Sequence, residues 1–212
     1  EIFERVDDAL KFSLSKIILS GSDDDLKKTE ITQPAILTTS FAIFSVLKQE
    51  FNFDLSKVKY IAGHSLGEYS ALVASESLSL EDGVTLVHER GKLMQAAVPE
   101  GEGAMLAVMG LDINELNSLL KKFYIKKGIC EIANAAAENM KLLLQKTKFK
   151  NPSLQLISNV TALPVEKDAD IKDLLYKQIF SRVRWRETVE YMIKNDINDF
   201  IEIGPGKVLS GL

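Results

Sequence analysis

Histidine is scarce in this chain of 212 residues, with two copies, His64 and His88. Histidine is the side chain that titrates near neutral pH, so a proton relay here has few candidates to run through. Cysteine is scarcer still: the single thiol, Cys130, excludes an internal disulfide and fits a reducing compartment. An excess of one charge is also missing. The 26 Lys and Arg against 30 Asp and Glu leave a net charge of -4, which offers little to a nucleic-acid backbone. No repeat, low-complexity tract or apolar run of membrane-spanning length is visible, so neither nucleic acid nor membrane is expected as a partner.

What remains is a globular chain, 46% hydrophobic with five prolines, long enough to bury a core. Glu1-Ile2-Phe3-Glu4 reads as a helix already under way. The expectation is therefore a cytoplasmic protein whose start, with any organelle-targeting segment, lies ahead of Glu1.

The most informative segment is Gly63-His64-Ser65-Leu66-Gly67, which follows the strand-like stretch 58–62 and precedes a helix expected over 66–74. A strand feeding a helix through a tight turn strains the central residue and exposes its Oγ as a nucleophile, and flanking glycines remove Cβ atoms that would collide there. The helix start aims free N–H groups at an oxyanion beside Ser65, the Leu66 N–H first among them. A serine hydroxyl also needs a base. His64 is adjacent in sequence and leaves the turn in another direction, and His88 lies in a helix. Each reads equally as a packed or as a catalytic histidine.

Strands and helices alternate, which predicts an α/β layout. Thr32 is expected to cap a helix over 35–48 with Pro34 in its first turn. A longer helix over 79–98 follows, opened by Ser79 and acidic residues. Pro99-Glu100-Gly101-Glu102-Gly103 marks a boundary. Beyond it the pattern predicts a strand (104–109), a helix capped by Asp112 with Glu115 three residues on, and a second strand (129–133). Helices over 136–146, 171–180 and 185–194, and strands over 154–158 and 200–203, complete the reading. Residues 1–101 and 136–212 are expected to form a large hydrolase-like subdomain, and 102–135 a small one.

In the long helix, Leu86, Arg90, Leu93 and Ala97 share one apolar stripe. A guanidinium buried there needs an anion. Two readings stay open: a local salt bridge or a stem covering apolar surface, and a bidentate clamp on a substrate carboxylate.

Gly63 to Leu72 (GHSLGEYSAL), Glu89-Arg90-Gly91-Lys92-Leu93-Met94-Gln95, Gly204-Pro205-Gly206-Lys207-Val208-Leu209 and Thr32-Gln33-Pro34-Ala35 together resemble the bacterial malonyl-CoA:acyl-carrier-protein transacylases of type II fatty-acid synthesis. The resemblance implies an α/β hydrolase-like core with a parallel sheet and a nucleophile elbow, plus a small ferredoxin-like subdomain. It implies Ser65 as the acylated nucleophile, His64 beside the pocket, and the Leu66 N–H in the oxyanion hole. Arg90 would pair with the malonyl carboxylate, Met94 would line the pocket, and the Gln178 backbone carbonyl would orient a catalytic histidine. Malonyl-CoA and a phosphopantetheinylated acyl carrier protein are the implied substrates, with no metal or redox cofactor, and a monomer is expected. Lys177, Arg182, Arg184 and Arg186 form a run that could meet an acidic carrier, or an ordinary solvated face.

Two elements that the resemblance implies have no counterpart. A first strand with its loop, supplying a second oxyanion donor, would lie before Glu1. The catalytic histidine would lie between the second strand of the small subdomain and the next helix, in a segment of roughly forty to fifty residues that completes a ferredoxin-like layer. Here Ile132-Ala133-Asn134 runs almost directly into Ala137-Glu138. A break in the chain between Asn134 and Ala137 is therefore expected. The competing readings are a serine hydrolase or thioesterase sharing the turn, with Asp199 as a conceivable partner in a serine–aspartate dyad, and a non-catalytic remnant that binds a carrier protein.

Overall fold

A computed structural model describes residues 1–97, 115, 118 and 128–211. Three helices lead in: α1 (Ile2–Leu10), α2 (Leu14–Ser20) and α3 (Asp23–Lys27). They rest on α4 (Thr29–Glu50) and α6 (Leu80–Ala97), the pair at the centre of the molecule, while α5 (Gly67–Ala74) packs beside both. Helix α7 (Gly128–Lys146) covers the other side of α6, and α8 (Asp168–Gln178) and α9 (Trp185–Lys194) complete the set. One core runs through them, built from Leu37, Leu72, Val84, Val87, Met140, Leu144, Ile171 and Leu175.

The sheet is small and parallel. Strand β1 (Tyr60–Ile61) pairs with β2 (Gln155–Leu156), Tyr60 opposite Gln155 and Ile61 opposite Leu156, and the Ile157 N–H extends the pairing to the Ile61 carbonyl at 3.0 Å. A parallel pair needs a long crossover, and helices α5 to α7 lie in the segment between the two strands. The coarse α/β expectation holds in this form.

Sequence signals place α6 and α9 well. Ser79 caps α6, its Oγ accepting from the Asp82 N–H at 3.0 Å. Helix α4 departs from expectation: it begins at Thr29, so Thr32 is not its cap but donates its hydroxyl back to the Leu26 and Lys28 carbonyls. Pro34 then lies in the helix interior, where its missing N–H leaves the Glu30 carbonyl without its usual donor. The His88 Nδ1 of α6 fills that place, 2.8 Å from the Glu30 oxygen, and since a carbonyl only accepts, Nδ1 carries the proton. Gly91 allows this approach, because a Cβ there would lie 2.5 Å from the Glu30 Cα and 2.7 Å from the Thr29 carbonyl oxygen.

Two further expectations are corrected. Residues 129–133 are the first turns of α7 and not a strand: Ile129, Cys130 and Ile132 suit either state, and a short apolar run does not decide between them. The same helix runs on through 134–137, joining the residues on either side of the expected break. Residues 200–203 pair with no strand among the described residues, and Phe200 and Ile201 are 49% and 64% exposed. Against the expectation of no spanning-length run, α4 is long and apolar enough to cross a membrane by length and composition. It nevertheless buries Gln33, Thr38 and Ser40 against its neighbours. The boundary at 99–103, the strand over 104–109 and the Asp112 cap lie outside the described residues, although Glu115 and Ser118 are helical.

Candidate active site

Ser65 sits in the five-residue turn between β1 and α5 with φ of 54°, in the left-handed region that non-glycine residues rarely adopt. A Cβ on Gly63 would lie 2.0 Å from the Gly67 carbonyl oxygen, so the turn closes only with glycine at 63. Gly67 is different: a Cβ there meets nothing within 4 Å, and the expectation that both glycines relieve a collision holds for Gly63 alone.

Strain of this kind persists only where surroundings hold it. Asn159 does so with one side chain, its Oδ1 accepting from the Ser65 N–H and its Nδ2 donating to the Gly63 carbonyl, both at 2.7 Å. The two bonds fix the orientation of the amide, since the reverse would set donor against donor. From α8, the Gln178 Nε2 donates to the Ser65 carbonyl at 3.1 Å. The Leu66 N–H at the head of α5 has no acceptor among the described residues.

Arg90 is 6% exposed and comes directly to the serine, its Nη2 donating to the Ser65 Oγ at 3.0 Å. The same Nη2 lies 3.3 Å from the Gln178 Oε1, and Nη1 donates to the Gln33 Oε1 at 2.6 Å. Every one of these acceptors is neutral. No ion pair includes Arg90 among the described residues, and its Nε has no partner. Burial pulls its pKa down, opposed by Tyr69 and Glu68, but an arginine stays protonated. A buried cation with no direct ion pair among the described residues, aimed at a serine hydroxyl, is suited chemically to an anionic group. Among the described residues Arg90 forms no local salt bridge, and its buried head group is not that of a stem reaching solvent. Met94, one turn along α6, accepts weakly from the Gln33 Nε2 at 3.6 Å, so it stands beside the guanidinium.

Glu68, 1% exposed on α5, accepts from the Gln178 Nε2 at 2.5 Å and from the Asn159 N–H at 3.3 Å. Burial pushes its pKa up to about 7, against hydrogen bonds from Gln178, Asn159 and Ser158 and the attraction of Arg90. Gln178 thus stands between opposite charges, its NH2 toward the carboxylate and its carbonyl toward the guanidinium.

The histidines take separate places. His64 is half-buried with its ring edge-on to Trp185, centroids 5.8 Å apart, and burial lowers its pKa. His88 serves the Glu30 carbonyl. Neither bonds to the Ser65 Oγ, and Asp199 lies exposed with no hydrogen bond to the serine. In the basic run, Lys177 pairs with Asp173, Arg182 and Arg184 with Glu187, and Arg186 with Glu190, as on a solvated face. Among the described residues no three His, Cys, Asp or Glu side chains are grouped to hold a metal ion.

The sequence brought Ser65, Arg90, Gln178, Met94 and His64 forward, and the structure gathers them around one turn. It did not bring forward Gln33, Glu68, Asn159 or Trp185. Glu68 carried one signal, as the lone charge in the otherwise uncharged helix Gly67–Ala74. Asn159 carried none.

Comparison with known proteins agrees with this geometry. Residues 2–121 match the acyl transferase domain family. The malonyl CoA-acyl carrier protein transacylase of Haemophilus influenzae is 34% identical over 257 residues, covering all of this chain and 82% of the relative. That of Bacillus subtilis strain 168 is 35% identical, with 80% of the relative covered. Both alignments run over 257 residues, 45 more than this chain has. Among solved structures, the acyl-carrier-protein S-malonyltransferase of Bartonella henselae superposes with a TM-score of 0.89 at 35% identity, covering 99% of this chain and 81% of that one. A malonyl-transacylase in complex with a type II PKS acyl-carrier protein gives 0.86 at 30% identity, covering 100% and 82%. With whole-chain identity above 30% to several such enzymes, this chain belongs to the acyl transferase family, among the malonyl-CoA:acyl-carrier-protein transacylases.

Proposed function

We propose that the chain moves a malonyl group from malonyl-CoA to the phosphopantetheine thiol of an acyl carrier protein by way of a malonyl ester on Ser65. The reaction runs in two displacements. The Ser65 Oγ attacks the thioester carbonyl, the C–S bond breaks, and coenzyme A leaves as the thiol. The carrier thiol then attacks the ester and Ser65 regains its proton. The turn at Ser65 is read as the nucleophile elbow, with the Leu66 N–H as oxyanion donor.

The observation that carries this reading is the Arg90 Nη2 at 3.0 Å from the Ser65 Oγ, in a guanidinium with no direct ion pair among the described residues. An acyl group short enough to react at the hydroxyl while reaching that cation with its far end is a small dicarboxylic half-ester. Malonyl fits, and the names of the relatives agree. The proton of Ser65 has no histidine acceptor among the described residues, so transfer is slow unless a base is supplied, and it speeds up with rising pH. The 45 alignment positions beyond the length of this chain support a missing segment that holds that base.

Intact-protein mass spectrometry after incubation with malonyl-CoA tests the reading. One malonyl group should appear on the native chain and none on Ser65→Ala. An unmodified native chain at alkaline pH would leave the non-catalytic, carrier-binding alternative, which the missing base alone favours.

A further inference from the structure

Among the described residues Glu68 is the one carboxyl group buried with the guanidinium of Arg90, and the mechanism above gives it no work. The groups facing it are known from each packed element. Helix α6 brings Arg90; α8 brings Gln178; the segment after β2 brings Ser158 and Asn159; on α5 itself the phenol of Tyr69 feels its charge. Arg90 is the only charged group among them. Before substrate binds, Glu68 and Arg90 are therefore a compensating pair, held apart by one amide: Glu68 Oε2 to Gln178 Nε2 at 2.5 Å, Gln178 Oε1 to Arg90 Nη2 at 3.3 Å.

An acyl carboxylate arriving at Arg90 changes that balance. The pocket then holds two anions and one cation away from water, where like charges repel far more strongly than in solvent. The substrate carboxylate is a stronger acid than Glu68 and pairs directly with the guanidinium, so it keeps its charge.

Resting on the clamp reading of Arg90, we infer that Glu68 is the counter-charge of Arg90 in the free enzyme and gives that role up to the substrate, taking one proton from solvent as the malonyl carboxylate binds. Glu68 thereby acts as a positioning residue. Ionised, it holds the Gln178 amide and keeps Arg90 aimed at Ser65; protonated, it lets the cation serve the substrate alone. Its buried carboxyl titrates at about 7 before any ligand enters, so a modest further push suffices to protonate it near neutral pH.

Calorimetry of the Ser65→Ala chain tests this, because it binds thioesters without being acylated. Titrations with malonyl-CoA and acetyl-CoA at pH 7.5, each in two buffers of different ionisation enthalpy, separate binding from proton exchange. The phosphates common to both ligands cancel. Malonyl-CoA should bind the more tightly and take up about half a proton more than acetyl-CoA, and that difference should vanish when Glu68→Gln is added. Tighter malonyl binding with no excess uptake, or an excess that survives Glu68→Gln, overturns the coupling. Equal affinities for the two thioesters would sink the clamp reading, and the coupling with it. Should the double variant not fold, carbon-13 labelling of glutamate carboxyls in Ser65→Ala decides. The carboxyl titrating near neutrality must shift its midpoint upward with malonyl-CoA and not with acetyl-CoA, and a midpoint that stays still overturns the proposal.

Discussion

His88 supplies to α4 the hydrogen bond that Pro34 withholds: its Nδ1–H stands 2.8 Å from the Glu30 carbonyl, the oxygen that residue 34 would otherwise bond. One of the two histidines is thus committed to holding α4 against α6. His88→Ala should lower unfolding stability by about 1–2 kcal/mol, the cost of leaving a half-buried carbonyl unpaired. Urea denaturation measures this, while the ratio of malonyl-CoA to acetyl-CoA binding should stay unchanged. A loss of that ratio with full stability would place His88 in the site.

Arg90→Ala removes the buried cation beside Ser65. Affinity for malonyl-CoA should fall by about 10- to 100-fold, the usual worth of hydrogen bonds to a charged group, and affinity for acetyl-CoA should hold or rise. Parallel titrations with the two thioesters give the answer. Equal losses for both would mean that the guanidinium supports the fold and not selection.

Two alanine substitutions four residues apart should behave in opposite ways. Gly63→Ala drives a methyl to 2.0 Å from the Gly67 carbonyl oxygen and should abolish soluble expression or acylation at Ser65. Gly67→Ala meets open space at the first position of α5 and should keep or slightly raise the melting temperature. Thermal melts of both variants decide the matter.

Glu68 imposes a pH signature on stability. Its carboxyl is raised from 4.5 to about 7 by burial, so the folded chain binds this proton more tightly than the unfolded chain does. Its contribution is greatest below pH 4.5, declines as the pH climbs to about 7, and is level above that. Subtracting the stability–pH curve of Glu68→Gln from that of the native protein should expose this falling limb. A difference curve that rises over the same window contradicts the assignment.

What the sequence revealed was whatever recurs at a fixed spacing. Arg90 among Leu86, Leu93 and Ala97 announced a cation on a buried face, and the glycines around Ser65 announced a tight turn. Helix α9 was read to its ends because its apolar and charged residues alternate with helical period. Residues 129–133 and 200–203 were misread because a handful of β-branched and aromatic residues suits a strand locally, while the state adopted depends on neighbours distant in sequence. The amide network was hidden for a related reason. Gln33, Asn159 and Gln178 come from α4, the segment after β2 and α8, and no local pattern says that they converge on one serine.

The contact at Gly91 sets the spacing of α4 and α6 beside Ser65. Because hydrogen is all that separates α6 from the backbone of Thr29 and Glu30, Arg90 and Gln33 are clamped at a fixed gap across the two helices. A side chain at position 91 would wedge those helices apart and carry the guanidinium back from Ser65. On the clamp reading of Arg90 proposed above, longer dicarboxylic acyl groups would then be favoured over malonyl.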